Sequence, residues 1–303
     1  MRVFIKRHSH DAGKWIYRGY ASAWESLGYD VVLYDFLSEI PDSIAKESYL
    51  MTLDSCIIKE GDIDKISSFE KTFLYVQPNI FPDPWGSHSN FVSSLSPAKC
   101  KEITNRSRIF QWTFVDPNKE YYSCWDPITI PLAFDSINYS HYDHNDCDFS
   151  YDVCYVGGRA NNGFDEKYRI MLDIFSAFAT SGLKCGFFIN KGLTHEQENS
   201  ILRKSRVAIN IHDGHQRALG LDTNERTFKS LGVTGALVSD NVQQAKSLFP
   251  QLPVANTPQE MVSAVKEMLS LADGELVTLK EKNRNEIIQN HTYIKRVERM
   301  ISL

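Results

Sequence analysis

The chain has 303 residues, 42% hydrophobic and 23% charged, the balance of a globular protein long enough for two domains. Its net charge of −5 excludes a global basic field for indiscriminate nucleic-acid binding. No apolar run approaches the roughly 20 residues that span a bilayer, and the opening Met1-Arg2-Val3-Phe4-Ile5-Lys6-Arg7 reads as a first strand and not as a secretory signal.

Residues 3–5 make that strand, and the polar loop His8-Ser9-His10-Asp11-Ala12-Gly13-Lys14 follows it. Trp15, Tyr17, Tyr20, Ala21, Trp24 and Leu27 then recur at helical spacing, and Gly28 ends the helix. Strands are expected at 30–35, 55–58, 72–76 and 108–114, the βαβ rhythm of a parallel sheet. The Pro- and Gly-rich stretch 77–90 follows a strand, where open α/β sheets hold ligands; a surface loop with aromatic packing fits it equally. Ser96-Pro97, Trp112, Tyr121, Tyr122 and Trp125 are expected to build the core and an aromatic wall of this first domain.

Residues 135–150 are polar and poor in aliphatics, which marks a linker and divides the chain into domains 1–145 and 146–303. His141, Asp143, His144, Asp146 and Cys147 within it have no closed tetrahedral spacing, so no metal is expected there. Cys56, Cys100, Cys124, Cys147, Cys154 and Cys185 lack a Cys-x-x-Cys pair, which fits reduced thiols in a cytoplasmic protein.

The rhythm restarts with a strand at 151–156, the Gly157-Gly158-Arg159 turn, a helix at 166–180, a strand at 184–190, a helix at 196–205 and a strand at 207–211. A helix from Asn224, a strand at 236–239 and helices near 242–249, 257–271 and 275–290 complete the chain. The most informative stretch is 224–240, where Glu225, Arg226 and Thr227 crowd a helix start before a Gly-x-x-Gly turn and a strand. A helix start gathers unpaired N–H groups and the positive end of the dipole, a setting for a diphosphate. An ordinary capped helix of a βαβ unit is the competing reading of the same residues.

The segments YDVCYVGG (151–158), LRKSRVAINIH (202–212), NERTFKSLGVTGALVSDN (224–241), LPVANTPQEMVSAVKEML (252–269) and HTYIKRVERMI (291–301) occur in this order. Together they resemble the carboxyl-terminal domain of GT-B glycosyltransferases of the CgeB-like, family-1-type group. The resemblance implies an α/β architecture of two Rossmann-like domains facing each other across a cleft. The second would hold a nucleotide-sugar and the first the acceptor, with the last helix crossing back onto the first domain. It implies no cofactor and no metal, since helix dipoles and basic side chains neutralise the diphosphate. Members often carry Glu where this chain has Lys229. Here Glu225 is the carboxylate at hand, and Lys229 is left to a phosphate or an acidic sugar.

The implied chemistry is displacement at an anomeric carbon with a nucleotide leaving group. The expected donor site comprises Gly157, Gly158, Arg159, Lys191, His212, Asp213, Asp222, Asn224, Arg226, Thr227 and Lys229. Asp11 or His10 is the expected base for the acceptor hydroxyl, with Glu225 as a further catalytic carboxylate. Capping explains Asp222 and Asn224 equally well. The expected acceptor is a glycan, as in polysaccharide biosynthesis. Two alternatives stand beside it: a phage-type DNA base glycosyltransferase, with Lys6, Arg7, Lys14 and Arg18 as a local basic cleft, and a nucleotide-sugar binder or epimerase without transferase activity.

Overall fold

Short apolar runs alternate with amphipathic helices, and in a computed structural model the strands pair, all in parallel, into two sheets. The structure describes residues 1–8, 11–53, 63–87, 96–105, 108–111, 114, 118–122, 125, 127–139, 149–159 and 164–303. The chain divides into two compact units, Met1–Pro131 with Tyr293–Leu303, and Leu132–Thr292. No helix among the described residues is long and apolar enough to cross a membrane.

In the first unit, β1 (Arg2–Lys6), β2 (Asp30–Tyr34), β3 (Ser48–Leu53), β4 (Lys71–Tyr75), β5 (Arg108–Gln111) and β6 (Ile128–Thr129) lie in the order β2-β1-β3-β4-β5-β6. The Asp11–Ser26 helix buries Ile16, Tyr17, Tyr20, Ala23 and Trp24 along one face. Trp24 is fully buried and meets the rings of Tyr29, Tyr49 and Phe73, which seats the helix on the sheet. Gly28 terminates the helix turn at φ 86°, a value that favours glycine. The Tyr293–Ile301 helix packs on this same helix, with the Tyr293 ring 4.7 Å from Tyr20 and against the bare Cα of Gly19. Arg296 Nε donates to the Pro131 carbonyl at 2.8 Å and fixes the end of the returning helix.

In the second unit, β7 (Tyr151–Gly157), β8 (Cys185–Ile189), β9 (Ser205–Asn210), β10 (Leu237–Asp240) and β11 (Val254–Ala255) run in the order β11-β10-β9-β7-β8. β9 and β10 are buried almost throughout, as strands covered on both faces must be. The Glu166–Ala179 and Pro258–Leu269 helices cover one face, where Met171, Ile174, Phe178, Met261 and Val265 meet Val153, Val207, Ile209 and Val238. The Glu225–Val233 helix packs on β9 and β10 and against the His195–Arg203 and Asp273–Asn290 helices. β8 lies on one side of β7 and β9 on the other, so the strand order reverses at β7/β9. In sheets of this kind that reversal opens a crevice outside the carboxyl ends of the strands.

Three expectations meet a different structure or none. The strand expected at 55–58 lies outside the described residues, and β3 occupies 48–53 instead, with Ser48 and Thr52 buried among its apolar residues. Residues 135–139 of the expected linker belong to the second unit, where Tyr139 is buried; residues 140–148, with the candidate ligands His141, Asp143, His144, Asp146 and Cys147, lie outside the described residues. Trp112 lies outside them too.

The close approach of Gly19 to Tyr293 gives a direct test. Gly19→Ala would place a methyl inside the ring's contact distance and should destabilise the first unit by about 1–3 kcal/mol, the usual cost of overpacking. Denaturant unfolding measures the loss, and faster amide exchange in 293–303 locates it.

Candidate functional site

The carboxyl ends of β7, β9 and β10 and the start of the Glu225–Val233 helix converge at the β7/β9 reversal. Asn224, in extended conformation, precedes the helix, and its carbonyl accepts from Thr227 N at 3.2 Å. Arg226, in the first turn, folds back over the strand ends. Its Nε donates to the Val156 carbonyl at 2.9 Å, and its Nη1 donates to Asn210 Oδ1 at 3.0 Å and to the Ile211 carbonyl at 3.2 Å. The guanidinium carbon lies 4.8 Å from the centroid of the Tyr155 ring. Arg226 thereby ties the end of β7 to the end of β9. Its Nη2 has no hydrogen-bond partner among the described residues and lies beside Gly157, where a Cβ would collide with the guanidinium.

Gly157 ends β7, and Gly158 and Arg159 continue the turn. The Arg159 amide donates to Asn190 Oδ1 at 2.9 Å, and a Cβ at Gly158 would crowd the same oxygen. Asn190 takes a left-handed φ of 51°, which turns its side chain back to that amide. The Arg159 guanidinium stacks on Tyr168 at 4.4 Å and stands 3.6 Å from Asp165. Lys191, next in the chain, is exposed.

Beneath Arg226 runs a buried polar chain. Asn210, His212, Thr223, Thr227 and Asp240 are each at most 1% exposed. Asn210 Nδ2 donates to Thr227 Oγ1 at 2.8 Å, and the Thr227 and Thr223 hydroxyls are 2.6 Å apart. Thr223 Oγ1 lies 2.8 Å from His212 Nε2, and His212 Nδ1 lies 2.5 Å from Asp240 Oδ1. The His212 backbone N–H donates to the second Asp240 oxygen at 3.0 Å, and Arg217 stands 3.5 Å from it. Burial pushes the Asp240 carboxyl up, but His212 and Arg217 hold it below the ordinary carboxylate value.

A second cluster occupies the flank of the same helix. Lys229 Nζ lies 2.6 Å from Glu198 and 3.5 Å from Glu225, and the Tyr139 hydroxyl donates to Glu198 at 2.5 Å. Burial works against the ionised forms throughout. The two carboxylates nonetheless hold the Lys229 ammonium above its usual value, and Lys229 with Tyr139 holds Glu198 below its own. Glu225 goes the other way, since burial outweighs Lys229 and raises its carboxyl. Burial and the neighbouring Glu198 also raise the Tyr139 phenol.

The expected donor residues thus fall into distinct places. Arg226, Thr227, Asn224 and Gly157 converge at the switch point, with Gly158 and Arg159 beside them. His212, two residues past the end of β9, differs from expectation: its ring is fully enclosed and both nitrogens are engaged, because the alternation running on from β9 puts Asn210 and His212 on the face covered by the Glu225 helix. Lys229 and Glu225, expected at ligand and reacting groups, instead face each other and Glu198. Asp213 pairs with buried Lys167 at 2.6 Å, and burial opposed by that ammonium leaves its carboxyl below the usual value. Asp222 accepts from Gln216 Nε2 at 2.6 Å. His10 lies outside the described residues, and Asp11 opens the first long helix of the other unit. Asn210, Thr223, Asp240 and Glu198 were not expected; the signal for the first and third is a polar residue closing an apolar strand.

The Lys229 cluster carries a stability prediction. Lys229→Met leaves two carboxylates facing each other in a side-chain environment at most 14% exposed. That should cost about 3–5 kcal/mol, as for an unpaired buried charge. Adding Glu198→Gln should return part of the loss in urea unfolding.

Comparison with known proteins bears on this geometry. Residues 165–302 match the family model described as glycosyl transferase-like. The whole chain resembles an alpha-glucosyltransferase solved with UDP and a 13-mer DNA containing a HMU base, at TM-score 0.56 and 12% identity over 100% of this chain and 98% of that one. An alpha-glucosyltransferase in complex with UDP alone gives 0.56 and 11% over 100% of both chains. The spinosyn forosaminyltransferase SpnP gives 0.53 and 11% over 100% of this chain and 98% of that one. No curated protein matches the sequence. The chain therefore has the GT-B fold of these glycosyltransferase structures, and residues 165–302 match the glycosyl transferase-like family.

Proposed function

We propose that this protein moves a sugar from a nucleoside diphosphate sugar to a hydroxyl acceptor, and that Arg226 and the first turn of the Glu225–Val233 helix hold the diphosphate. The observation that carries this reading is the state of Arg226. Three hydrogen bonds fix its guanidinium at the switch point, while Nη2 faces the bare Gly157 with no partner among the described residues. As the bond from the anomeric carbon to the diphosphate oxygen breaks, charge accumulates on the leaving phosphate. A donor already held in place stabilises that charge without reorganising. The helix start adds N–H groups and dipole to the same end, and the Thr227 and Gly157–Arg159 backbone lies beside it.

In this reading the cationic side chain and the helix supply the charge compensation, and transfer proceeds without a divalent metal. The base for the acceptor hydroxyl is assigned to the segment that follows β1, at His10 or Asp11. Arg159 and Lys191 are assigned to the outer part of the donor, where both side chains reach solvent.

The leading acceptor is a glycan. A hydroxymethylated DNA base is the second reading, supported by the end-to-end fold likeness to an alpha-glucosyltransferase whose structure contains UDP and HMU-bearing DNA. The net charge of −5 weighs against a duplex partner. Transfer to oligonucleotides that falls steeply with salt would favour DNA; transfer to glycans alone would favour the first.

A thermal-shift panel of UDP-, GDP-, CMP-, ADP- and TDP-sugars identifies the donor, because binding to the native state raises the melting temperature. With that donor, Arg226→Ala should lower turnover at least about tenfold, the scale of losing a charge-assisted contact to a developing anion, and EDTA should leave wild-type turnover unchanged. Full turnover by a folded Arg226→Ala protein would remove Arg226 from the reaction. Hydrolysis or epimerisation of the sugar nucleotide with no acceptor present would replace the transferase reading.

A further inference from the structure

The buried chain beneath Arg226 has a direction, and the direction follows from counting protons. Arg226 can only donate, so Asn210 presents Oδ1 to Nη1 and its amide orientation is fixed. Asn210 Nδ2 must then donate, which it does to Thr227 Oγ1 at 2.8 Å and, more weakly, toward His212 Nε2 at 3.3 Å. A nitrogen approached by an amide N–H is an acceptor, so His212 Nε2 bears no proton. Thr223 accordingly donates its hydroxyl proton to Nε2 at 2.8 Å, and Thr227 donates its own to Thr223 at 2.6 Å. The remaining imidazole proton sits on Nδ1 and points at Asp240 Oδ1 at 2.5 Å. Every bond along the path then runs in one sense, from Arg226 to Asp240, with Nε2 accepting from Thr223 and, at longer range, from Asn210. A proton on Nε2 would face the Asn210 N–H and leave one of the two threonine hydroxyl protons without an acceptor in the chain.

We propose that Asp240, His212, Thr223, Thr227 and Asn210 form a one-way hydrogen-bond relay that holds the Arg226 guanidinium in register for the donor diphosphate. They are positioning residues: each is at most 1% exposed, so their side chains act through Arg226. Asp240 anchors the far end, held by the His212 ring and backbone and by Arg217. The relay polarises Asn210 Oδ1 as the acceptor for Nη1, which leaves Nη2, beside the bare Gly157, as the guanidinium nitrogen without a hydrogen-bond partner among the described residues. Chains of such bonds in a dry interior strengthen one another, and a break at one member is felt at the next.

This inference rests on the donor-site reading above, and the test separates the two. Thr223→Val is close to isosteric, removes one hydroxyl from the middle of the relay and lies away from the ligand. Wild type, Thr223→Val, Thr223→Ser, Arg226→Ala and the Thr223→Val/Arg226→Ala double variant are titrated calorimetrically with UDP and with inorganic pyrophosphate, after melting confirms each is folded. Thr223→Val should weaken both ligands about fivefold, the worth of one net hydrogen bond, and Thr223→Ser should restore affinity to within about twofold. In the Arg226→Ala background Thr223→Val should change nothing further, because its effect passes through Arg226. Equal losses in both backgrounds, or no recovery by serine, would overturn the relay and leave the donor site standing. Wild-type affinity in Arg226→Ala, or no binding of either probe to the native protein, would overturn the donor site and the relay with it.

Discussion

The guanidinium of Arg226 is the constraint around which the second unit is arranged. It stands where the strand order reverses and is bonded to the ends of two strands at once, Val156 on β7, and Asn210 on β9 with Ile211 just past it. This requires a residue without a Cβ at 157, since any side chain would occupy the guanidinium's place. It requires a helix beginning within reach of both strand ends, and Asn224 in extended conformation starts one there. It also requires an amide and not a carboxylate at 210, because only an amide both accepts from Arg226 and donates to Thr227.

The helix that carries Arg226 must itself sit on a sheet while bearing Glu225 and Lys229 near its start. Spacing resolves the conflict. Phe228 and Leu231 are buried in the core with Thr227 on the strand side, while Glu225 and Lys229, four apart, share a flank that meets Glu198 of the His195–Arg203 helix. Three ionisable groups and Tyr139 close on one another there. Replacing the carboxylate expected at position 229 by lysine therefore does not place a free cation at the donor. It creates an internal ion pair whose cost of dehydration is met by its two partners.

Much of the architecture was legible because parallel sheets demand continuous apolar strands and covering helices with a helical repeat. β1, β2, β4, β7, β8, β9 and β10 all read this way, as did the 166–179 and 258–269 helices. β3 escaped because Ser48 and Thr52 interrupt its apolar run, and Gly214–Leu219 because it is short and opens on glycine. At the candidate site, a helix start rich in donors singled out Arg226 and Thr227. The buried polar chain beneath them did not announce itself, since Asn210 and Asp240 look like the polar ends of strands. Only the folded chain shows that they face inward, twenty-eight residues apart from His212 to Asp240. His212 was read as facing a ligand because it ends a strand; the period of two along β9 decides otherwise.

The charges around the switch point give the site its sign. Arg226, Lys229, Lys167 and Arg217 are cationic; Glu198, Glu225, Asp213 and Asp240 are the carboxyls paired with or facing them. Glu198, Asp213 and Asp240 are all held below the ordinary carboxylate range by their partners and stay ionised. Glu225 alone is pushed up by burial, so its ionisation is the one the protein opposes. Each proton that Glu225 retains leaves the group of eight more positive. Of the four cations Arg226 alone has no carboxylate in ion-pair contact among the described residues: its bonded contacts are neutral carbonyls, an amide and a ring face, and Glu198, Asp213 and Glu225 act on it from farther away. An arginine hydrogen-bonded only to dipoles is fully oriented and only partly compensated by carboxylates farther away, and the helix start beside it carries positive potential of its own. An anion entering this corner meets charge that the fold has positioned but not cancelled.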